Sequence, residues 1–179
     1  SQMTEISTST QGQTLVIRLN RPEKMNAITR SMYGGLAQNL NQTAEDDSIR
    51  CVVISSEGEH FTAGNDIRDF MSNPPTEEDS DVAKFLGSLL EFPKPLLAAV
   101  KGNAVGVGTT MLLHCDVVIA EINKGGQLVT QNLRAAAASR GLSVEVVDKA
   151  AKPRAVLGKV FVKEVYARGS KEDRAEPVA

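Results

Sequence analysis

The stretch PKPLLAAVKGNAVGVGTT, residues 93–110, decides how the rest of the chain is interpreted. Its two prolines exclude a helix at the start of the stretch, and the apolar run Leu96–Val100 is typical of a short strand buried on both faces. Three glycines follow, and they allow the backbone to turn sharply and to approach a ligand closely. From Thr109 the sequence predicts the first turn of a helix, whose free N–H groups would point into that turn. Taken alone, this stretch also fits a glycine corner that serves only packing.

The composition is that of an ordinary globular domain. Of the 179 residues, 41 % are hydrophobic and 23 % are charged, which favours one domain with a proper core. The net charge of −2 gives no electrostatic basis for binding nucleic acid or an anionic membrane. No apolar run is long enough to span a bilayer and no signal peptide is recognisable, so a cytoplasmic location is expected. Ser1 and Gln2, ahead of Met3, resemble a cloning remnant.

Cysteine and histidine are scarce. Cys51 and Cys115 both lie in apolar runs, which predicts buried, reduced thiols. His60 and His114 are too few and too isolated for a metal site built on imidazoles, and no metal is expected. His114 and Cys115 are interpreted as core residues.

The chain alternates predicted strands and helices. A strand–helix–strand order at the start favours a parallel pair, with Thr29 as the cap of the first helix. Apolar residues at helical spacing predict a second, amphipathic helix around residues 82–90. The predicted strands are Leu15–Leu19, Cys51–Ile54, Leu96–Val100 and Val117–Ala120.

The pattern changes after Ala120. An alanine-rich segment predicts a helix over Leu128–Ala138. A second helix is predicted from Pro153 to Gly169, with valines along one side. The alternation at residues 142–147 is too short to assign as a strand. Residues 73–76 are interpreted as a linker, and residues 172–179 as a polar tail.

A second glycine turn, within Ser55–Asp69, also follows a buried strand. If the two strands are neighbours, both turns lie at the carboxyl edge of the sheet, where ligands usually bind. Two backbone N–H groups, one from each turn, would then converge on one carbonyl oxygen. Backbone donors held rigidly in this way can stabilise an enolate without reorganising.

Three motifs resemble the crotonase superfamily of enoyl-CoA hydratases and isomerases. They are FTAGNDI at residues 61–67, the organising stretch at residues 94–108, and NRPEKMNAI at residues 20–28, which is similar to that family's first CoA-binding loop. The resemblance covers about residues 14–120, and its Gly-Asn-Asp and Val-Gly-Val-Gly-Thr-Thr signatures are closest to the Δ3,Δ2-enoyl-CoA isomerase branch. It implies an α/β fold of stacked β-β-α turns with C-terminal helices.

The same resemblance implies domains and site residues. Residues 3–120 would form the acyl-CoA-binding core, and residues 121–179 a mostly helical remainder of the same domain. The backbone N–H groups of Asn65 and Val107 match the family's oxyanion hole. The residues that match its CoA and substrate pocket are Lys24, Met25, Ala63, Gly64, Asp66, Ile67 and Gly106. Lys24 taken by itself fits a solvated loop lysine, and Asp66 also fits the N-cap of a short helix.

The chain also departs from the family pattern. Thr110 stands where the hydratases carry a catalytic glutamate, and a threonine hydroxyl is no base near neutral pH. The glutamate of the isomerase branch should follow Ala120, but the sequence there resembles a much later part of the family's chain. A central block is therefore expected to be absent after Ala120.

Three functions remain open at this point. The first is an enoyl-CoA isomerase or hydratase, the second a catalytically inactive acyl-CoA binder, and the third a nucleotide-binding domain. The third is weak because neither Gly-x-Gly-x-x-Gly nor Gly-Lys-Ser/Thr is present. The expected partner is an acyl-CoA thioester, with no separate cofactor because coenzyme A is part of the substrate. The resemblance further implies a homo-oligomer, a trimer or a hexamer.

Overall fold

The described part of the chain forms one mixed sheet with five α-helices. The computed structural model describes residues 4–72, 74, 80–121, 126–139, 143–146 and 159–165. The strands are β1 (Ile6–Gln11), β2 (Thr14–Leu19), β3 (Cys51–Ser56), β4 (Leu96–Val100), β5 (Val117–Glu121), β6 (Ser143–Val146) and β7 (Lys159–Val165). The helices are α1 (Arg30–Ala44), α2 (Ile67–Ser72), α3 (Asp81–Glu91), α4 (Val107–Leu113) and α5 (Gly126–Ala138), and a 3-10 turn covers Pro22–Lys24.

The strands form a seven-stranded sheet in the order β1-β2-β3-β4-β5-β7-β6. Only the β1–β2 hairpin is antiparallel, and the five other pairings are parallel. Ala98 of β4 lies opposite Ile54 of β3 on one side and Val118 of β5 on the other. These three side chains are fully buried, so they form the centre of the core face. The predicted parallel pairing of β2 with β3 is confirmed, and β4 pairs parallel with β3.

All four strands predicted in the first 120 residues are present, within two residues of their expected ends. The organising strand β4 alternates buried and half-buried residues, so the expected burial on both faces is wrong for one face. Leu97 and Ala99 on that face lie beside Val117 and Ile119 of β5, which are also half-buried. The half-covered face therefore continues across the sheet.

Helices α1 and α3 pack against each other, and α1 has the cap that the sequence predicts. The Thr29 hydroxyl accepts a hydrogen bond from the Met32 N–H at 3.3 Å. Tyr33 of α1 and Phe85 of α3 are fully buried, with ring centroids 5.4 Å apart. Burying aromatic side chains of this size contributes much of a core's stability. Leu90, expected on the buried face of α3, is 70 % exposed instead.

The C-terminal region corrects one predicted helix. The expected helix at Leu128–Ala138 is present as α5, but the helix expected at Pro153–Gly169 is wrong where the chain is described, because Lys159–Val165 is strand β7. Its sequence KVFVKEV is rich in valine, and β7 pairs with both β5 and β6, so β-branched residues and sheet pairing override the helical spacing. The undecided segment at residues 142–147 contains strand β6.

Several expectations lie outside the described residues. They are the linker at 73–76 apart from Pro74, the ends of the predicted helix at 153–169, and the tail at 172–179. Beyond Glu121 the described chain contains one helix and two strands. The domain boundary at 120/121 and the absent central block stay predictions.

The cysteines and His114 differ in burial. Cys115 is buried, and burial raises the pKa of its thiol, which keeps it protonated. Cys51 is only half-buried, with its Sγ 3.2 Å from the Thr14 hydroxyl, so the expectation of a buried thiol is wrong there. It sits at the start of β3, opposite Thr14 at the start of β2, where the sheet is less covered. His114 is also half-buried rather than a core residue.

Candidate functional site

The two glycine turns lie side by side at the carboxyl edge of β3 and β4. Beyond the paired strands, Thr62 forms a further parallel bridge with Ala104. The Thr62 N–H donates to the Asn103 carbonyl at 3.0 Å, and the Val105 N–H donates to the Thr62 carbonyl at 3.1 Å. The predicted juxtaposition of the two turns is confirmed by these bonds.

Two glycines show why these turns need that residue. Gly102 has φ +59°, and a Cβ atom there would overlap the Glu59 carbonyl and the His60 ring. Gly64 has φ +94°, and a Cβ atom there would lie 3.2 Å from the Val105 carbonyl oxygen. Side chains at either position would push the two turns apart, so both glycines are required by close approach as well as by backbone conformation.

The backbone N–H groups of Asn65 and Val107 have no acceptor among the described residues. Asn65 lies in a bridge with Ile28, in which the Ile28 N–H donates to the Gly64 carbonyl and the Asp66 N–H donates to the Ile28 carbonyl. Because N–H directions alternate along an extended segment, the Asn65 N–H points away from Ile28. Val107 is the first residue of α4, where an N–H has no partner within the helix. Each turn therefore offers one unused backbone donor.

The first loop is fastened to the turn after β3 by Asn26. This side chain is fully buried and donates to the carbonyls of Glu57 and His60, at 2.8 Å each. Its Oδ1 accepts from the Arg21 N–H at 2.8 Å, and its own carbonyl accepts from the Thr62 hydroxyl at 2.7 Å. Every polar group of the Asn26 side chain is thus used, which places the neighbouring Lys24 and Met25 beside the turn.

Arg21 and Asp66 form an ion pair across the same junction. The Arg21 Nη1 donates to Asp66 Oδ2 at 2.7 Å and also to the Ala27 carbonyl at 3.0 Å. Asp66 Oδ1 accepts from the Asp69 N–H at 3.0 Å, so Asp66 also caps α2 as the sequence predicts. These hydrogen bonds hold the pKa of the Asp66 carboxyl below its usual range, and the bond from Arg21 has the largest effect. Asp66 is therefore an anion whose oxygens already have partners.

The side chain of Asn65 is held by Tyr33 from helix α1. The Tyr33 hydroxyl donates to Asn65 Oδ1 at 2.5 Å. Burial raises the pKa of this phenol, so it stays protonated and keeps its role as donor. The contact restricts the orientation of the Asn65 side chain.

Two open cavities at the turns are lined by predicted site residues. The larger, called the first-loop cleft, has a volume of about 790 Å³. Its lining includes six of the predicted site residues, namely Lys24, Met25, Ala63, Asn65, Asp66 and Ile67. The smaller, called the α4–α5 cavity, has a volume of about 470 Å³ and includes Gly106 in its lining. Gly64 and Val107 line neither cavity. The predicted residues therefore lie partly in the first-loop cleft, partly in the α4–α5 cavity, and partly at the junction between the two.

Among the lining residues of these two cavities, carboxylates occur in the first-loop cleft. Glu23, Asp66 and Asp69 line the first-loop cleft. Asp69 is committed to the start of α1, because its Oδ2 accepts from the Arg30 N–H at 2.7 Å. The α4–α5 cavity has no carboxylate among its lining residues, and Thr110 occupies it instead. No group of three metal-ligating side chains is present in the described part of the chain.

Sequence reasoning missed the residues that support the site from behind. Arg21 and Asn26 lie inside a recognised motif but were assigned no role, and Tyr33 was seen only as part of a helix. Met25 and Asn26 both have positive φ, at 49° and 54°, which is uncommon outside glycine. An asparagine in a proline-opened loop is a signal for that conformation. Nothing local predicts the contact from Tyr33.

Comparisons with known proteins agree with this geometry. The Enoyl-CoA hydratase/isomerase family model matches residues 9–146. The chain belongs to the enoyl-CoA hydratase/isomerase family. The resemblance to the crotonase superfamily is thus confirmed. Human enoyl-CoA delta isomerase 2 is 38 % identical over 124 residues, which agrees with the resemblance to the isomerase branch of that superfamily. 1,2-Epoxyphenylacetyl-CoA isomerase of Escherichia coli K12 is 36 % identical over 113 residues.

Solved structures of this family share the fold. OdaA of Pseudomonas aeruginosa is similar with a TM-score of 0.64 and 46 % identity, over 66 % of this chain and 48 % of that one. The two sequence relatives are matched over 65 % and 59 % of this chain, but over only 31 % and 43 % of their own lengths. The chain therefore spans less than half the length of these family members. No helix in its described residues has the length and apolar character needed to cross a membrane.

Proposed function

We propose that this chain binds acyl-CoA thioesters and holds the thioester oxygen between the backbone N–H groups of Asn65 and Val107. The observation that carries the proposal is the pair of unused donors on adjacent turns, at the edge of a parallel sheet. Two donors that converge on the thioester oxygen would favour the enolate over the neutral thioester, because donors held on a rigid backbone need no reorganisation as negative charge develops.

The first-loop cleft is the proposed site for the coenzyme A part. Met25 and Ile67 are 52 % and 71 % exposed, and they offer apolar surface to the pantetheine chain. Lys24 and Arg68 in the same lining offer positive charge to phosphate groups. Family membership supports this arrangement, and so do the two reported sequence relatives, which are named as enoyl-CoA and 1,2-epoxyphenylacetyl-CoA isomerases.

Isomerisation of a 3-enoyl-CoA needs a further group. A proton leaves C2, its electron pair spreads onto the thioester oxygen, and a proton is returned at C4. The group that moves the proton must lie within hydrogen-bond reach of both carbons. No carboxylate lines the α4–α5 cavity, and Asp66 and Asp69 are held in structural bonds. We therefore propose that the chain of 179 residues binds thioesters and isomerises or hydrates them slowly.

Glu121 supports a second candidate, a fully active isomerase. It ends β5 at the same edge of the sheet, and its Oε1 is buried without a partner among the described residues. Against this role, strand alternation places Glu121 on the face of Val117 and Ile119, opposite the core face of Val118 and Ala120.

Two assays test the proposal. Coenzyme A should compete with a bound acyl-CoA, while ATP and NAD should not, and failure of that competition would remove the proposed function. Steady-state turnover of 3-enoyl-CoA and 2-enoyl-CoA should lie far below about 10 per second, an ordinary enzymatic rate. A rate near that value that is lost in Glu121→Gln would establish the second candidate.

A further inference from the structure

The α4–α5 cavity begins where the proposed thioester site ends. Gly106 lines it, and the next residue, Val107, carries one of the two proposed donors. An acyl group whose thioester oxygen lies at the Val107 N–H therefore has this cavity of about 470 Å³ beside it. The inference rests on the proposed function and concerns which acyl group the cavity accepts.

The lining of the cavity is small and uncharged. Helix α4 and the turn before it provide one wall, and one side of α5 provides the other. The lining residues are Val105, Gly106, Thr109, Thr110, Asn132, Ala135 and Ala136. No cation is available among them for an acyl group that ends in a carboxylate, and no aromatic or long aliphatic side chain is available to cover a fatty chain.

Two side chains in this lining can still form hydrogen bonds. Asn132 is half-buried, and its amide has no partner among the described residues. The Thr110 hydroxyl lies 3.5 Å from the Gly106 carbonyl, at the outer limit for a hydrogen bond. Thr109 differs, because its hydroxyl donates to the Ala104 carbonyl at 3.0 Å. The side chains with hydrogen-bonding groups still available therefore lie on facing walls of the cavity, Thr110 on α4 and Asn132 on α5.

We propose that Asn132 selects acyl-CoA thioesters whose acyl group carries a neutral hydrogen-bonding substituent, a hydroxyl or a keto oxygen. A purely aliphatic chain would displace water from the Asn132 amide and give it no replacement partner, which disfavours binding. A hydroxyl or keto oxygen accepts from the amide, and Thr110 contributes a second contact from α4. Asn132 is then a specificity-determining residue that acts through direct contact with the acyl group.

Isothermal titration with four ligands tests this inference. The probes are coenzyme A, butyryl-CoA, 3-hydroxybutyryl-CoA and 4-hydroxybutyryl-CoA, which place a hydroxyl at two depths on one chain length. At least one hydroxylated ligand should bind roughly fivefold more tightly than butyryl-CoA, the gain expected from a net hydrogen bond. Asn132→Leu should reduce that preference to about twofold or less, which is what the Thr110 contact alone can supply, and leave affinity for coenzyme A within about twofold. Asn41→Leu, at an exposed position on α1, is the matched control and should keep the preference.

The outcomes separate this inference from the proposed function. If coenzyme A and butyryl-CoA bind but the hydroxylated ligands show no preference, or Asn132→Leu keeps the preference, the inference is wrong and the proposed function stands. If neither coenzyme A nor butyryl-CoA binds, both fail. Should Asn132→Leu not fold, Asn132→Ala repeats the test, and an unchanged preference in that variant would equally overturn the inference.

Discussion

The two sides of the glycine turns are built differently. On the first-loop side, Asn26 is fully buried with all its side-chain polar groups bonded, and Arg21 bridges the loop to Asp66. On the α5 side, Asn132 has no partner in the described chain, and a Cβ atom on Gly106 would meet nothing within 4 Å. The first arrangement suits a part of the ligand that is always the same, and the second leaves room for a part that varies.

A matched pair of glycines tests this contrast with the largest expected effect. Gly102 and Gly106 have nearly equal φ values, +59° and +57°, but Gly106 has ψ −118°, outside the left-handed helical well, so alanine is strained there by its backbone alone. At Gly102 the added methyl also overlaps the Glu59 carbonyl, so Gly102→Ala should lower the free energy of unfolding by roughly 4 kcal/mol in total. Gly106→Ala should lower it by roughly 2 kcal/mol, because it adds backbone strain and no overlap.

Chemical denaturation of both variants provides the measurement. Gly12→Ala is a third reference, because Gly12 has φ +60° with nothing within 4 Å of its Cβ position. Equal losses at Gly102, Gly106 and Gly12 would show that the two sides of the turns are equally loose, contrary to the contrast drawn above.

The Arg21–Asp66 pair predicts a smaller, pH-dependent effect on the same side. The pKa of Asp66 is lowered in the folded protein, so its contribution to stability is present above the unfolded pKa of about 3.9 and is lost as the pH falls through the folded value. The difference in unfolding free energy between the wild type and Asp66→Asn should therefore be largest near pH 7 and shrink below about pH 4.

Thermal or urea unfolding from pH 7 to pH 3 checks this expectation. Arg21→Gln removes the ion-pair partner of Asp66, so the unfolding free energy of this variant should fall less between pH 7 and pH 3 than that of the wild type. A difference between wild type and Asp66→Asn that grows as the pH falls would contradict the assignment of Asp66 as a bonded anion.

The sequence predicted the parts of the fold that depend on local pattern. A β-rich segment with one apolar face identified β2, apolar runs identified β3 to β5, and the motif glycines identified both turns. The polar edge strand β1, ISTSTQ, was missed because it lacks an apolar face. The valines of β7 match a helix face as well as a strand, and only pairing with β5 and β6 decides between them.

The sequence predicted only those residues of the candidate site that lie inside its three motifs. The site's proposed backbone donors and loop residues could be named, because Asn65 and Val107 stand at positions that match the family's motifs. The residues that support the site could not be named from the sequence. The hydrogen bond from Tyr33 to Asn65 spans 32 residues, and that from Arg21 to Asp66 spans 45. Such contacts depend on how helix α1 and the first loop dock on the sheet, which a local pattern does not encode.

The central claim is that the Val107 N–H contacts the thioester oxygen. Butyryl-CoA and its thioether analogue S-butyl-CoA differ in that oxygen, and two net hydrogen bonds should favour butyryl-CoA by roughly 25-fold. Val107→Pro removes the donor at the first position of α4, where proline is tolerated, and Val107→Ala keeps it. Titration should show the preference reduced to roughly fivefold in Val107→Pro and unchanged in Val107→Ala. A folded Val107→Pro variant that keeps the full preference would contradict the account.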